Sequence, residues 1–195
     1  MLKIGLTGSI GMGKSTTSNI FRTFGIPVFD ADQTVHDLYK TRAVSAFEAE
    51  IPDSIVNGSI SREILSQMIL QDPQIIKKIE NIIHPLVYQQ RQSFIEKCAS
   101  NNHQIVIFDI PLMFESERIN EVDVILVVSA PADVQFKRVM ARPGMSEEKL
   151  RLILTKQKTD DYKRLNSHIV IDTGRGIKPV TRQCELIIRS LSHHF

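Results

Sequence analysis

The sequence predicts an α/β fold in which helices cover both faces of a parallel five-stranded sheet. Apolar runs of strand length alternate with segments of helical periodicity along most of the 195 residues. Two runs, residues 104–111 and 123–130, are almost continuously apolar, as in strands buried on both faces. Residues 42–102 show helical patterns without strands, so we expect a helical insertion between the second and third strands of the sheet.

The first elements are a strand, a glycine-rich turn and a helix. Residues 2–7 form an apolar run, and residues 14–24 carry apolar side chains at helical spacing. Gly25 is placed to end this helix, because glycine readily takes the conformation found at helix C-termini. Residues 26–30 then predict a second strand that ends on an acid, and residues 31–40 predict a short polar helix.

The insertion is predicted to contain at least two helices. Residues 61–70 place apolar side chains on one helical face. Asp72 and Pro73 suit the N-cap and first turn of a helix over residues 73–84. Pro85 is expected to bend or restart that helix, because proline lacks an N–H and its ring clashes with the preceding turn.

The remaining elements continue the alternation after the third and fourth strands. A proline opens a predicted helix over residues 131–142, and Ser146 is the predicted N-cap of a charged helix that extends to residue 165. Residues 168–172 predict the fifth strand, and residues 178–191 predict a closing amphipathic helix.

The composition predicts an ordinary soluble globular protein, and the cysteine usage favours the cytoplasm. Hydrophobic residues make up 42% and charged residues 24%, and the net charge of +2 gives no reason to expect a nucleic-acid partner. Cys98 and Cys184 match no zinc or disulfide spacing, which favours a reducing compartment. The sequence has no signal-peptide core and no apolar stretch of membrane-spanning length. We therefore expect a single domain without a membrane partner, monomeric or forming a small homo-oligomer.

Residues 8–15, GSIGMGKS, match the full phosphate-loop pattern and lie between the first strand and the first helix. Glycines leave the N–H groups of the loop unobstructed, and the positive end of the helix dipole faces a bound polyphosphate. We expect Lys14 to reach the β- and γ-phosphates and the Ser15 hydroxyl to ligate Mg²⁺. The fold is thus predicted to be of the P-loop NTPase type. The predicted ATP contacts in this stretch are Gly8, Gly11, Met12, Gly13, Lys14, Ser15 and Thr16.

The loop predicts a bound triphosphate but leaves three functions open. A GTPase should carry Asn-Lys-x-Asp for guanine, and the sequence lacks it. A nucleotide-switched binding module or ATPase motor usually carries further domains, for which 195 residues leave little room. A small-molecule kinase needs an acceptor site, a base for the acceptor hydroxyl and a closing lid. The remaining residues offer all three.

Acidic residues follow two of the predicted strands. Asp30 and Asp32 lie at the carboxyl end of the second strand, where open α/β sheets bind ligands. Helix capping could explain one of them, and a carboxylate here could instead take or orient the proton of an attacking hydroxyl. Asp109 ends the third strand, where an acid commonly helps to hold the metal through water. The alternative for Asp109 is an acid that simply marks the strand end.

Two arginines follow the fourth strand. Arg138 and Arg142 precede a proline-glycine turn and a charged helix. In phosphoryl transfer, arginines on a mobile segment neutralise charge on the transferred group while the lid excludes water. A solvated helix face is the alternative explanation for each. His84 lies before a proline, where a polar helix break is the more common explanation.

Six segments, taken in order, resemble the dephospho-CoA kinase family across nearly the whole chain. They are LTGSIGMGKST, VFDAD, IIHPLV, FDIPLMFE, QFKRVMAR and IVIDTG. The resemblance implies transfer of the ATP γ-phosphoryl group to the ribose 3′-hydroxyl of dephospho-CoA, with Mg²⁺. It also implies a nucleotide-binding core (residues 1–41 and 103–195), a helical CoA-binding subdomain (residues 42–102) and a lid (residues 140–160).

The resemblance also assigns roles by position. Asp32 is implied to engage the 3′-hydroxyl as general base, with Asp30 supporting it. The residues implied to hold the acceptor are Arg62, His84, Leu112 and Phe114. The residues implied to act on the nucleotide and lid side are Lys14, Arg138 and Arg142. Two segments depart from the family pattern, Pro143-Gly144 in the lid turn and Ser167-His168 before the fifth strand, whereas Lys163 keeps its expected place.

Overall fold

The computed structural model describes residues 1–116 and 118–192. In chain order the strands are β1 (Leu2–Thr7), β2 (Val28–Asp30), β3 (Ile55–Val56), β4 (Ser59–Ile60), β5 (Ile105–Asp109), β6 (Val124–Ser129) and β7 (Ile169–Asp172). The helices are α1 (Lys14–Thr23), α2 (Ala31–Leu38), α3 (Val44–Glu50), α4 (Arg62–Gln71), α5 (Ile75–Ser100), α6 (Ala132–Met140), α7 (Glu147–Thr155), α8 (Asp160–Leu165) and α9 (Ile177–Ser192). Short 3₁₀ turns lie at Pro52–Ser54 and Arg118–Glu121.

Five of these strands form a parallel sheet in the order β2-β5-β1-β6-β7. In the register, Leu6 of β1 lies beside Asp109 of β5 and Leu126 of β6. The carboxyl ends of β1, β5 and β6 therefore meet at one edge, which is where ligands of open α/β sheets bind. The sequence prediction of a five-stranded parallel sheet is confirmed.

Both faces of the sheet are buried. Ile4, Leu6 and Ile107 on one face belong to a core cluster that also contains Phe21 of α1 and Cys184 of α9. Side chains on the opposite face of the sheet are equally buried, and these include Val106, Phe108 and Val127. Helices on both sides of a sheet explain why these strands are apolar throughout rather than alternating. Within the described residues, no helix combines the length and apolar composition needed to cross a membrane.

The chain divides into two compact units. The sheet unit contains residues 1–29 and the described residues from 98 onward, and the second unit contains residues 30–97. The second unit holds α2, α3, α4, most of α5 and the short β3–β4 hairpin. Tyr39 and the fully buried Phe47 pack edge to face at its centre, with ring centroids 5.6 Å apart.

The prediction that residues 42–102 lack strands is wrong. β3 and β4 pair antiparallel, with Ile55 opposite Ile60. The turn between them is Asn57-Gly58, and both residues have positive φ, 50° and 75°. Asn-Gly is the preferred sequence for such a two-residue hairpin turn, because both positions need the left-handed region. The signal was present, but the strands are only two residues long.

Two helix predictions also need correction. α5 runs from Ile75 to Ser100 with Pro85 inside it, so the helix does not restart at the proline, and the alternative of a bend there stays a prediction. Ile83 and Val87, on either side of it, are buried, and their packing outweighs one missing backbone hydrogen bond. The predicted single helix to residue 165 is two helices, because the Thr159 side chain accepts a hydrogen bond from the Tyr162 amide and starts α8 anew.

Candidate active site

The phosphate loop joins β1 to α1, as predicted. Gly13 is the N-cap of α1 and has φ of 90°, a conformation that favours glycine. A glycine cannot cap the helix with a side chain, and no acidic residue lies in the first turn. The positive end of the helix is therefore left for an anionic ligand. Ser15 and Thr16 are exposed in this first turn, whereas Gly8, Gly11 and Met12 are buried.

Lys14 and Asp109 form an ion pair at the edge where β1 and β5 end. The Lys14 ammonium contacts Asp109 Oδ1, and the Asp109 side chain is almost fully buried. Asp109 is the last residue of β5, so the sheet itself sets its position. The structure thus brings together two of the residues predicted for the nucleotide and metal. The ammonium is the group that phosphate oxygens would attract when a triphosphate enters the loop.

Thr173 is hydrogen-bonded to the phosphate loop, and the sequence analysis did not predict this role. Its hydroxyl donates to the Met12 carbonyl at 2.7 Å and lies 3.2 Å from the Ser129 carbonyl. A Cβ placed on Gly13 would lie 3.2 Å from the same hydroxyl oxygen. Thr173 directly follows β7, so its position at the carboxyl edge of the sheet was the available signal.

Arg138 of α6 lies against the same part of the loop. Its guanidinium donates to the Thr173 hydroxyl at 3.0 Å, to the Thr173 carbonyl at 2.6 Å and to the Gly11 carbonyl at 3.4 Å. These contacts attach the predicted catalytic arginine directly to the loop that is predicted to hold the triphosphate. A guanidinium carries five N–H donors, so donors remain for a ligand.

Arg142 and the turn after it are exposed. The Arg142 side chain makes no hydrogen bond or ion pair in the part of the chain that the structure describes. Gly144 has φ of 72°, and its carbonyl accepts from Lys149 Nζ at 2.7 Å. Ser146 then caps α7 by accepting from the Lys149 amide. The proline-glycine turn thus forms an ordered start to α7, and the role of residues 140–160 as a lid stays a prediction.

Leu112 and Phe114 follow β5 in the sheet unit, and the structure separates their environments. Leu112 is 46% exposed, whereas Phe114 is 8% exposed and packs edge to face against Tyr162 with centroids 6.0 Å apart. Leu112 therefore has surface to offer an apolar part of a ligand, and Phe114 has little. Their contact with the acceptor stays a prediction.

The two predicted acids after β2 have different environments. Asp30 is the N-cap of α2, and its Oδ1 accepts from the Gln33 amide at 2.9 Å. Asp32 lies exposed in the first turn of that helix, and its carboxylate has no hydrogen bond or ion pair among the described residues. Capping thus accounts for one acid and leaves the other available to a ligand.

Arg62 and His84 lie in the second unit. Arg62 is the first residue of α4, and its guanidinium stacks over the Tyr39 ring at 5.7 Å from the centroid. Burial raises the pKa of Tyr39 above its ordinary value, and the Arg62 charge opposes that rise only partly, so the phenol stays neutral. His84 is exposed on α5 just before Pro85 and forms no polar contact within residues 1–116 and 118–192.

The sequence and the fold were compared with those of known proteins. The sequence profile of the family described as dephospho-CoA kinase matches residues 2–178. Dephospho-CoA kinase from Brucella melitensis is 44% identical over 192 residues, which cover 98% of this chain and 96% of that protein. The crystal structure of TT1252 from Thermus thermophilus is similar with a TM-score of 0.83 at 28% identity and covers 97% of both chains. The structure of dephospho-CoA kinase from Campylobacter jejuni, at 23% identity and 98% coverage of both chains, has the same fold with a TM-score of 0.73. With its phosphate loop, its Lys14–Asp109 ion pair and this near full-length similarity, the chain belongs to the dephospho-CoA kinase family of ATP-dependent phosphotransferases that act on an alcohol group.

Proposed function

We propose that this chain transfers the γ-phosphoryl group of ATP to the 3′-hydroxyl of dephospho-CoA by in-line displacement. The main observation in support of ATP as the phosphoryl donor is the ion pair between Lys14 of the phosphate loop and Asp109. Family membership over nearly the whole chain supports the acceptor. Catalysis is mainly positioning and charge stabilisation, because this reaction needs little covalent chemistry from the protein.

On the donor side, each residue has a distinct task. Lys14 binds the β- and γ-phosphate oxygens together with the amides of the loop. Arg138, held on Gly11 and Thr173, presents its remaining N–H groups to charge that develops on the transferred group. Arg142, exposed and without a partner among the described residues, serves the nucleotide from the lid side.

The residues near the loop suit Mg²⁺. The Ser15 hydroxyl is exposed and makes no hydrogen bond among the residues that the structure describes, and the Asp109 carboxylate is an oxygen donor on the same edge. Mg²⁺ prefers oxygen ligands and usually takes only one or two from protein while keeping waters. Ser15 would hold the ion directly and Asp109 through water. The ion supplies neutralisation of charge on the phosphate oxygens.

On the acceptor side, Asp32 is the general base. Its carboxylate is exposed and lacks a partner within the described residues, whereas Asp30 is engaged as a helix cap and supports it. Arg62 binds the acceptor through its positive charge, which Tyr39 holds in place by stacking. We place His84, Leu112 and Phe114 against other parts of the acceptor.

The proposed setting is the cytoplasm, with ATP and dephospho-CoA as small-molecule substrates and no membrane or nucleic-acid partner. Two buried free cysteines, Cys98 and Cys184, support a reducing compartment. The proposed assembly is a monomer or a small homo-oligomer. Residues 140–160 act as the lid.

An acceptor panel tests the reaction. ADP release from ATP and Mg²⁺ is measured with dephospho-CoA, adenosine, shikimate or gluconate. We expect turnover only with dephospho-CoA. Faster turnover with another acceptor would support a different small-molecule kinase, and nucleotide binding without any acceptor-stimulated turnover would support an ATP-dependent binding module.

The role of Asp32 is tested by Asp32→Asn, which keeps the shape of the side chain and removes the base. We expect kcat to fall by about 10²-fold or more while the Kd for ATP stays the same. Asp37→Asn is the matched control, because it makes the same charge change on the exposed surface of the same helix. Near-normal turnover of Asp32→Asn would remove this residue from the mechanism.

A further inference from the structure

The apex of the phosphate loop is held by two glutamines from different elements. The Ile10 carbonyl accepts from Gln135 Nε2 at 2.7 Å, and the Ile10 N–H donates to Gln157 Oε1 at 3.2 Å. Gln135 lies on α6 and is buried, whereas Gln157 lies in the connection between α7 and α8 and is half-buried. Both backbone polar groups of Ile10 are thus held by side chains more than 120 positions away in sequence.

The orientation of the Gln157 amide follows from chemistry. A backbone N–H can only donate, so the atom facing Ile10 has to be the carboxamide oxygen. The NH₂ group therefore points away from the Ile10 amide. It has no hydrogen-bond acceptor within residues 1–116 and 118–192. Gln157 thus carries two N–H donors beside a loop whose sequence is that of a polyphosphate binder.

The connection that carries Gln157 is fixed on its other side. The Lys158 amide donates to Glu115 Oε1 at 2.8 Å, and the same oxygen forms an ion pair at 3.0 Å with Lys163, a lysine with no exposed side-chain surface. Glu115 belongs to the segment that follows Asp109. Gln157 is therefore anchored between the loop apex and the strand end that carries Asp109. Asp109 is the acid that would hold Mg²⁺ through water beside the phosphates.

We propose that Gln157 is a nucleotide-binding residue whose carboxamide NH₂ donates to the terminal phosphoryl group of the bound triphosphate, while its oxygen holds the loop apex. A charged acceptor roughly doubles the strength of a hydrogen bond, so a γ-phosphate oxygen is the strongest partner available to this donor. ADP lacks that oxygen, so Gln157 distinguishes the triphosphate from the diphosphate. The proposal rests on the triphosphate half of the proposed function and does not involve the acceptor.

The test compares binding of a non-hydrolysable ATP analogue and of ADP, both with Mg²⁺, by calorimetry without acceptor. Gln157→Met removes the donors in a neutral side chain of similar length. We expect the Kd of the analogue to rise about tenfold or more while the Kd of ADP changes by less than about threefold. Gln135→Met is the matched control, since it removes the hydrogen bond to the other backbone polar group of Ile10. In this control the Kd values of the analogue and of ADP should rise by the same factor.

Equal weakening of ADP and of the analogue by Gln157→Met would show a purely structural grip on the loop and would overturn the proposal, as would no weakening of either. If Gln157→Met unfolds at the assay temperature, Gln157→Leu replaces it, because leucine is also neutral and lacks both donors. The same ratio decides the outcome. Turnover with dephospho-CoA by the unchanged protein is measured separately, so failure of the acceptor assignment and failure of this proposal are distinguishable.

Discussion

Replacing Thr173 by valine removes one hydroxyl from beneath the phosphate loop without changing the side-chain shape. The Thr173 side chain is 2% exposed, and its hydroxyl donates to the Met12 carbonyl and accepts from Arg138. Valine leaves that carbonyl without its donor in a buried place and takes one acceptor from the guanidinium. An unsatisfied buried polar group costs roughly 1–3 kcal/mol, and the lost bond to the guanidinium adds about 1 kcal/mol, because Arg138 keeps its bond to the Thr173 carbonyl.

We therefore expect Thr173→Val to lower the free energy of unfolding by about 2–4 kcal/mol. In a chain of this size that corresponds to a fall in Tm of roughly 4–16 °C. Because Met12 and Arg138 are both proposed contacts of the nucleotide, we expect the KM for ATP to rise as well. Urea unfolding, calorimetric melting and steady-state kinetics measure the three quantities.

Thr173→Ser is the matched control, because it keeps the hydroxyl and loses only a methyl group. That loss costs about 1 kcal/mol and should leave the KM for ATP nearly unchanged. If valine proved as stable as serine at this position, with the same KM for ATP, the hydroxyl would have no role in holding the loop and the account of Thr173 would be refuted.

Three further changes have defined outcomes. Lys14→Met should lower kcat/KM for ATP by about 10²-fold or more, because the phosphates lose their ammonium partner; turnover near that of the unchanged protein would contradict the donor assignment. Lys163→Met should lower the free energy of unfolding by about 3 kcal/mol, since it leaves Glu115 without its buried partner, and adding Glu115→Gln should recover about 1 kcal/mol in a urea double-mutant cycle; simple additivity would argue against the pair. Burial raises the pKa of Cys184 to about 11 from 9.0, so the unfolded thiol ionises first and stability falls as pH rises from about 9 toward about 11. Urea unfolding at pH 8 and pH 10 should therefore show a smaller loss for Cys184→Ala than for the unchanged chain, and an equal loss would mean that this thiol does not contribute.

Local patterns carry the prediction of the sheet and of the phosphate loop. The five strands are apolar runs bounded by turn residues, and the loop is a contiguous motif, so both are visible without knowledge of distant contacts. Asp109 could be placed for the same reason, because it ends an unmistakable strand. The ion pair that it forms with Lys14 follows from two adjacent parallel strands ending at one edge.

Contacts between positions far apart in the chain could not be predicted from the sequence. Thr173 and Met12 are 161 positions apart, and Gln157 and Ile10 are 147 apart, and no spacing rule connects either pair. At Pro85 the rule that proline interrupts a helix does not hold, because buried side chains around it stabilise α5. Helical stability in a protein comes mainly from such packing. The Asn57-Gly58 turn was a readable signal, but its flanking strands are too short for periodicity to show.

The contact between Thr173 and Met12 also has a consequence for synthesis on the ribosome. The loop is translated before the threonine that holds it, which emerges 161 residues later. At typical elongation rates the two are separated by roughly ten to thirty seconds. During that interval β1 also waits for both of its neighbours in the sheet, β5 and β6. A nascent chain therefore cannot assemble its ATP site early, and tight nucleotide binding reports that translation has passed β7.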